Sequence, residues 1–461
     1  MPRKEKPQDL KKISSHSFSR GLSLLGWTLS SGAQYASMKL NEILASPQSK
    51  DLRLQNFMLG QAEKLVSELG KLKGSIMKAG QMLSVYGEHF FPAPVNDILK
   101  TLQSQSRPVV WEEMRKVLEK QLGPKKFKAL DIDEVPIAAA SMGQVYRTQI
   151  KGEPGVFAIK VQYPGVDKAI ESDLSALKTV LSLSHLLPSH PGFEEIFKEV
   201  RMVLHYEADY ERELAFILQY QNWLNTDSRF KIPAVRADFS TKRILTMSYE
   251  EGVCLDSQDL LSLSDLRRTR LGVSLLDLLF KEIFEWRTVQ TDPHFGNFRV
   301  QLGSREDGLD DRLVLFDFGA VREFPRTYID PFAKLVGAAL TGDKESLIKA
   351  GLTLGFLRSE DPQNMLDLFF QMSMTAIEPF TEAYASSPID GTKLDPKAYD
   401  WGTSELLKQT TALVKDAAFT FKLRPPPREA VFLDRKMIGI YVILSKLGVK
   451  FGPRNLLMKY L

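Results

Sequence analysis

The chain has 461 residues, 43% hydrophobic and 26% charged, enough for a sizeable core and more than one typical domain. Its 61 basic and 57 acidic side chains leave a net charge of +4, too small an excess to imply a nucleic-acid binder. A single cysteine, Cys254, excludes an intramolecular disulfide and any cysteine-cluster metal site. With no His–Asp pattern beside it, Cys254 reads as a small, partly buried side chain and not as a reactive thiol.

Taken in chain order, the start is basic: Arg3, Lys4, Lys6, Lys11, Lys12 and Arg20 face only Glu5 and Asp9. No apolar run reaches the roughly 20 residues of a membrane helix. Gly21 to Met38 comes nearest, but serines and Gln34 interrupt it, and its apolar part is poor for a signal peptide. Leu22, Leu25, Leu29 and Ala33 fall at helical spacing, which suits a core-facing helix or, beside the basic arm, one lying on a membrane. Residues 52–90 read as a helix pair that Pro92 and Pro94 stop, and Trp111 to Leu122 as a helix ended by Gly123-Pro124.

From Ile132 the pattern turns to strands, at Val135 to Ile150 and Val156 to Val161, around the turn Lys151-Gly-Glu-Pro-Gly155. Helices follow at Val166 to Leu187 and Phe193 to Leu224, then strands at Ala234 to Phe239 and Arg243 to Ser248. Beyond Gly252 the chain reads as helical except for a hairpin of Phe298–Leu302 and Arg312–Phe316. The expected class is α+β: a small five-stranded lobe, a helical lobe and a helical N-terminal extension. The divisions are an arm over 1–50, the extension over 51–130, the β-rich lobe over 131–250 and the helical lobe over 251–461.

Three ordered segments carry the chemistry. In Ala138-Ala139-Ala140-Ser141-Met142-Gly143-Gln144-Val145, small residues in a turn let backbone N–H groups approach phosphate oxygens. Fifteen residues past Val145, Lys160 ends the apolar run Phe157-Ala-Ile and needs a carboxylate or phosphate partner. Glu213 is the candidate. In the third, Asp292 is followed five residues later by Asn297, then by the hairpin, then by Asp317-Phe318-Gly319. This supplies a base-like carboxylate, an amide oxygen for Mg²⁺ and a second carboxylate for the metal, the parts that position and neutralise a transferring phosphoryl group. A lone Asp-Phe-Gly or an alanine-rich turn means little; the ordered set with this spacing is specific.

Departures from a protein kinase are equally plain. Two glycines of the phosphate loop are Ala138 and Ala140, leaving Gly143, and the loop lysine after the catalytic aspartate is His294. The His-Arg that ordinarily precedes that aspartate is Gln290-Thr291. After Gly319 a helix is expected almost at once, with no Ala-Pro-Glu and no long segment to hold a peptide. A fourth motif, Lys78-Ala79-Gly80-Gln81, puts Lys78 and Gln81 three apart on one helical face; alone, it reads as a solvated face.

Together, Lys78–Gln81, the Ala138–Val145 loop, Lys160-Val-Gln-Tyr-Pro-Gly-Val166, Glu207-Ala-Asp209 with Glu213, Thr291-Asp292-Pro293, Asn297, Asp317-Phe-Gly-Ala320 and Arg435-Lys-Met437 resemble the UbiB family of atypical kinase-like proteins. The similarity is greatest to the branch required for coenzyme Q (ubiquinone) biosynthesis. The resemblance implies a protein-kinase-like two-lobed fold using ATP and Mg²⁺ as an ATPase or small-molecule kinase. It implies that Lys160 pairs with Glu213 and meets the phosphates, that Asn297 and Asp317 hold Mg²⁺, and that Asp292 takes the base position. ATP contacts are implied at Ala138, Ala139, Ala140, Ser141, Gln144, Lys160, Ser248 and Tyr249. Lys78 and Gln81, anchored by Glu207 and Asp209, are implied to fill the space where a kinase receives peptide. The implied partners are quinone-biosynthesis proteins or lipid precursors and an anionic membrane touched peripherally, with a homodimer also expected and no nucleic acid. The implied place is the cytoplasmic face of a bacterial inner membrane or the mitochondrial matrix face. The rival readings are an authentic protein kinase and a nucleotide-gated scaffold.

Overall fold

The computed structural model describes residues 78–80, 82–83, 109–140, 142–183, 192–384, 398–420 and 427–461. The basic arm, the amphipathic stretch, Gln81, Ser141 and most of the helix pair over 52–90 lie outside the described residues. The chain divides into two compact units: one takes residues up to Ala215 together with Ala234–Tyr249, the other Phe216–Pro233 and Glu250–Leu461.

The first unit is built on an antiparallel sheet. Strands β1 (Leu130–Ile132), β3 (Gly143–Ile150), β4 (Phe157–Gln162) and β6 (Ile244–Ser248) lie in that order, and the short β2 (Ala138–Ala139) also pairs with β3. Five strands were expected, but one is different. Ala234–Phe239 pairs only through a single bridge from Val235 to Met247 and ends in a tight turn over Ala237–Phe239. There Ser240 Oγ donates to Arg236 O and Thr246 Oγ1 to Phe239 O, so side-chain bonds compete with a ladder. The fifth strand is β1, too short and too acidic to stand out in sequence.

Helix α1 (Trp111–Lys128) runs past the expected stop but leaves helical geometry at Gly123, with φ 75°, so the Gly-Pro signal marks a kink and not an end. Helix α2 covers Val166–Leu183. The single helix expected over 193–224 is two, α3 (Gly192–Glu207) and α4 (Tyr210–Trp223). The break has a local cause: Asp209 Oδ1 accepts the Arg212 N–H at 3.0 Å, an N-cap that starts a new helix.

In the second unit a four-stranded sheet runs β5 (Phe230–Lys231), β10 (Arg312–Leu315), β9 (Phe298–Gln301), β7 (Val253–Cys254). The expected hairpin is its β9–β10 pair, with Leu313 opposite Val300. A second ribbon, β8 (Thr288–Gln290) against β11 (Val321–Glu323), was not expected. Helix α5 (Asp265–Phe280) is buried continuously from Leu271 to Phe280 and packs on α10 (Arg428–Leu447), where Ile440, Ile443, Leu444 and Leu447 are at most 1% exposed. Each such side chain contributes on the order of 2 kcal/mol of burial free energy. Helices α6 (Arg326–Thr341), α7 (Lys344–Leu354), α8 (Gln363–Ala376) and α9 (Leu406–Thr420) complete the unit. Cys254 is half-buried on β7, as its sequence context suggested.

Candidate functional site

In the first unit Lys160, on β4, donates to both carboxylate oxygens of Glu213 on α4, at 2.9 Å each, with Glu213 only 1% exposed. The inward strand position and the second helix therefore solve each other's problem, since neither charge would be tolerated alone there. Tyr210, buried at the head of α4, presents its ring 5.0 Å from the Lys160 ammonium, a cation–π contact absent from the sequence reading.

The alanine segment closes as a tight hairpin. Ala138 faces Val145, Ala139 faces Gln144, and the Ala140 N–H donates to Gly143 O at 2.8 Å. Ala138 and Ala139 are exposed, so their backbone can be approached. Gly143 cannot carry a side chain: a Cβ there would run into the Val161 carbonyl and the Tyr210 hydroxyl. Gln144 departs from its expected role. Its side chain is fully buried, accepts the Val109 N–H at 2.5 Å and donates to Val109 O and the Tyr146 hydroxyl, leaving nothing for a nucleotide. Strand periodicity held the signal, since Gln144, Tyr146, Thr148 and Ile150 alternate onto the inner face of β3.

Ser248 ends β6 opposite Phe157 and its Oγ accepts the Ala234 N–H at 2.8 Å. The Tyr249 N–H donates to Val156 O at 2.9 Å, and the Tyr249 ring lies 5.3 Å from the Arg147 guanidinium. The Ser248 hydroxyl and the Tyr249 N–H are thus committed within the unit.

Lys78 and Glu207 pair at 2.6 Å with side chains 11% and 15% exposed. Beside Lys78, Ala79, Met82 and Leu83 are at most 2% exposed, so this segment is packed and not a solvated helix face. Because α3 ends at Glu207 and α4 begins at Tyr210, Glu207 and Glu213 serve different lysines. Asp209 lies between them as the cap of α4.

In the second unit the loop after β8 is held by its own side chains. Gln290 Nε2 donates to Asp292 O at 3.1 Å, the Asp292 N–H returns to Gln290 Oε1 at 3.2 Å, and Asn297 Nδ2 donates to Asp292 O at 2.8 Å. The Asn297 amide is thereby anchored through one N–H of its NH₂, leaving its oxygen as the ligand atom. Asp317, after β10, uses Oδ1 to accept the Gly319 N–H at 2.9 Å. Asn297 and Asp317 line one small cavity. An amide oxygen and a carboxylate are hard oxygen donors, and Mg²⁺ takes few protein ligands because phosphate oxygens and water complete its shell, so these residues fit that ion. Among the described residues no group of three or more His, Cys, Asp and Glu forms a denser metal site.

Asp292 itself is ion-paired: Arg435 Nη2, from α10, donates to Asp292 Oδ1 at 2.6 Å. His294 Nδ1 accepts the Gly296 N–H at 2.9 Å and caps the turn Phe295–Asn297, a structural hydrogen-bonding role. Past Gly319 come only Ala320, β11 and Phe324-Pro325 before α6 begins at Arg326, so the short post-Gly319 segment is as expected.

A lysine–glutamate pair beside a small-residue hairpin in one unit, and an Asp–Asn–Asp set around a hairpin in the other, define a protein-kinase-like α+β fold. The chain belongs to the ABC1 atypical kinase-like family, whose domain matches residues 101–351, more than half of its length; this is the UbiB group that the motifs resemble. It is 32% identical to the mitochondrial atypical kinase COQ8B of Danio rerio over 86% of this chain and 60% of that protein. It is 31% identical to mitochondrial atypical kinase COQ8 of Schizosaccharomyces pombe, over 86% and 61%. With the Saccharomyces cerevisiae COQ8 the figures are 30% identity over 87% and 76%. The chain thus spans about three fifths of the length of the first two. In fold it is similar to the Mycobacterium tuberculosis protein Rv3197, solved with erythromycin, with a TM-score of 0.58 and 22% identity over 89% of this chain and 98% of that one. Among the described residues no helix is long and apolar enough to cross a membrane.

Proposed function

We propose that this chain is an atypical kinase-like enzyme that binds Mg-ATP and uses it, as an ATPase or small-molecule phosphotransferase, in support of coenzyme Q biosynthesis. The observation that carries the nucleotide part is the Asn297 amide, pinned by the Asp292 carbonyl so that its oxygen and the Asp317 carboxylate remain for a hard cation. The metal, when bound, supplies neutralisation of developing phosphate charge. This chain's own residues do the rest. Lys160, oriented by Glu213 and Tyr210, meets phosphate oxygens; the exposed Ala138–Ala139 backbone approaches them; and Asp292, held by Arg435, is the carboxylate in the base position for an attacking hydroxyl or water.

The coenzyme Q role is supported by the motif resemblance and by relatives named as COQ8 kinases. Attachment to a membrane surface, lipid precursors or quinone-biosynthesis proteins as partners, self-association and the mitochondrial or bacterial setting belong to the same proposal. Peptide phosphorylation is disfavoured by the short segment between Gly319 and α6 and by the packed Lys78 segment. A nucleotide-gated scaffold is the second reading, favoured by the Arg435 contact that occupies Asp292.

The test is ATP turnover and Mg-nucleotide binding by wild type and Asp317→Asn, with anionic vesicles and a phenolic quinone precursor present, and complementation of a quinone-deficient deletion strain. Asp317→Asn is expected to lose turnover and complementation. Equal turnover by the variant would sink the assignment, while wild-type Mg-nucleotide binding with no turnover under any activator would favour the scaffold.

A further inference from the structure

Behind the loop of Asp292 and Asn297 lies an ion pair that the reading above does not use. Lys436, on α10, meets Glu282 Oε2 at 3.0 Å, and both residues are 1% exposed. A pair so dry is a poor way to stabilise a fold, because two desolvation penalties oppose one attraction and apolar replacements of similar volume often do as well. Its surroundings suggest a different use. Glu282 sits on a π-helical turn, Lys281–Glu285, that follows α5, and such widened turns recur at functional sites.

From there the bonds lead one way. Glu282 Oε1 accepts the Tyr220 hydroxyl at 2.8 Å and the Gln290 N–H at 3.2 Å. Lys436 Nζ lies 3.5 Å from Gln290 Oε1. Gln290 in turn brackets the backbone of Asp292, and Asp292 O holds the Asn297 amide. Glu282, Gln290, Lys436, Asn297 and Asp317 line the same small cavity. The helix is also locked in place beside the loop: a Cβ at Gly439, one turn beyond Arg435, would collide with the Pro293 ring.

We propose that Lys436 and Glu282 are positioning residues for the metal site: through Gln290 and Asp292 they fix the Asn297 amide, and so set the affinity for Mg²⁺. They touch neither metal nor nucleotide. This rests on the Mg-nucleotide reading given above and extends it to the cause of the loop's geometry.

The experiment compares wild type with Lys436→Met/Glu282→Gln, which removes both charges yet keeps an acceptor for Tyr220 and Gln290. Binding of a fluorescent ATP analogue is followed against Mg²⁺ concentration, with thermal melting measured in parallel. The neutral pair is expected to melt near wild type but to need at least about fivefold more Mg²⁺ for half-maximal binding, with analogue affinity at saturating Mg²⁺ nearly unchanged. Gln290→Leu, which leaves the ion pair intact, is expected to show the same Mg²⁺ shift. Wild-type Mg²⁺ dependence in the folded double variant overturns the inference while leaving the nucleotide site standing. If the double variant does not fold, Gln290→Leu decides: it keeps the ion pair but cuts its link to Asp292, so an unchanged Mg²⁺ requirement again overturns the inference. If wild type itself binds no Mg-nucleotide, the proposed function fails first and this inference falls with it.

Discussion

Lys78 and Glu207 form a 2.6 Å ion pair from which water is largely excluded, joining the segment around Ala79–Leu83 to the last residue of α3. Removing one partner strands a charge in a poorly solvated place. Lys78→Ala is therefore expected to lower stability by about 1–3 kcal/mol, less than for a fully dry pair because each side chain keeps some solvent. Lys78→Ala/Glu207→Ala is expected to be less destabilised than the sum of the two single variants. A denaturant-midpoint cycle measures this; additive single and double variants would show that the pair is not coupled.

Gly143 gives a test of the hairpin. A methyl group there meets the Val161 carbonyl and the Tyr210 hydroxyl, whereas Ala138 on the neighbouring strand is exposed. Gly143→Ala should cost about 1–3 kcal/mol through overpacking and weaken nucleotide binding by displacing Tyr210 from Lys160. Ala138→Gly should cost under about 1 kcal/mol. Chemical denaturation of the two variants checks the contrast, and equal effects would contradict it.

Stability should also depend on pH through Asp434, half-buried on α10, whose carboxyl is pushed up to about 7 by burial. The folded chain holds this proton more tightly than the unfolded one. The contribution is therefore fully present below the ordinary aspartate range near about 4 and is lost as pH rises to about 7. Asp434→Asn should stabilise the protein at pH 8 by on the order of 2 kcal/mol, since residual contact with water keeps the effect below the full shift. At pH 4 it should change little. Melting curves at both pH values decide it; a gain independent of pH would show that ionisation is not the cause.

How much of this was legible beforehand depended on distance along the chain. Asp292, Asn297 and Asp317 could be read because their spacing is local and the β9–β10 hairpin between them has a strand pattern. Lys160 and Glu213 could be matched because an inward lysine demands an acid. Arg435 and Lys436 were visible as part of a family motif, but not their contacts 143 and 146 residues away, which no periodicity encodes. Tyr210 reads locally as one more aromatic in a helix, and its place over Lys160 depends on the β4–α4 packing. Gln144 reads as part of a small-residue loop, and strand alternation alone signals that its side chain turns inward to Val109. The strand expected at 234–239 failed because Ser240 and Thr246 satisfy backbone groups that a ladder would have used.

The joint between α3 and α4 makes the chain tolerant of length where, through the Asp209 cap, it is sensitive to composition. Two helices meeting at Ala208-Asp209 have independent phases, so Glu207 and Glu213 can each be aimed without constraining the other. One extra residue after Glu213 would push the remainder of α4 around by about 100° while sparing both acids. The same insertion between Glu207 and Tyr210 falls outside both helices, so each keeps its own register, Glu207 with Lys78 and Glu213 with Lys160. Single-residue insertions scanned through 205–216 should therefore be felt most sharply inside α4, where they turn the buried Ile217 and Tyr220 away from the core, and least at the joint.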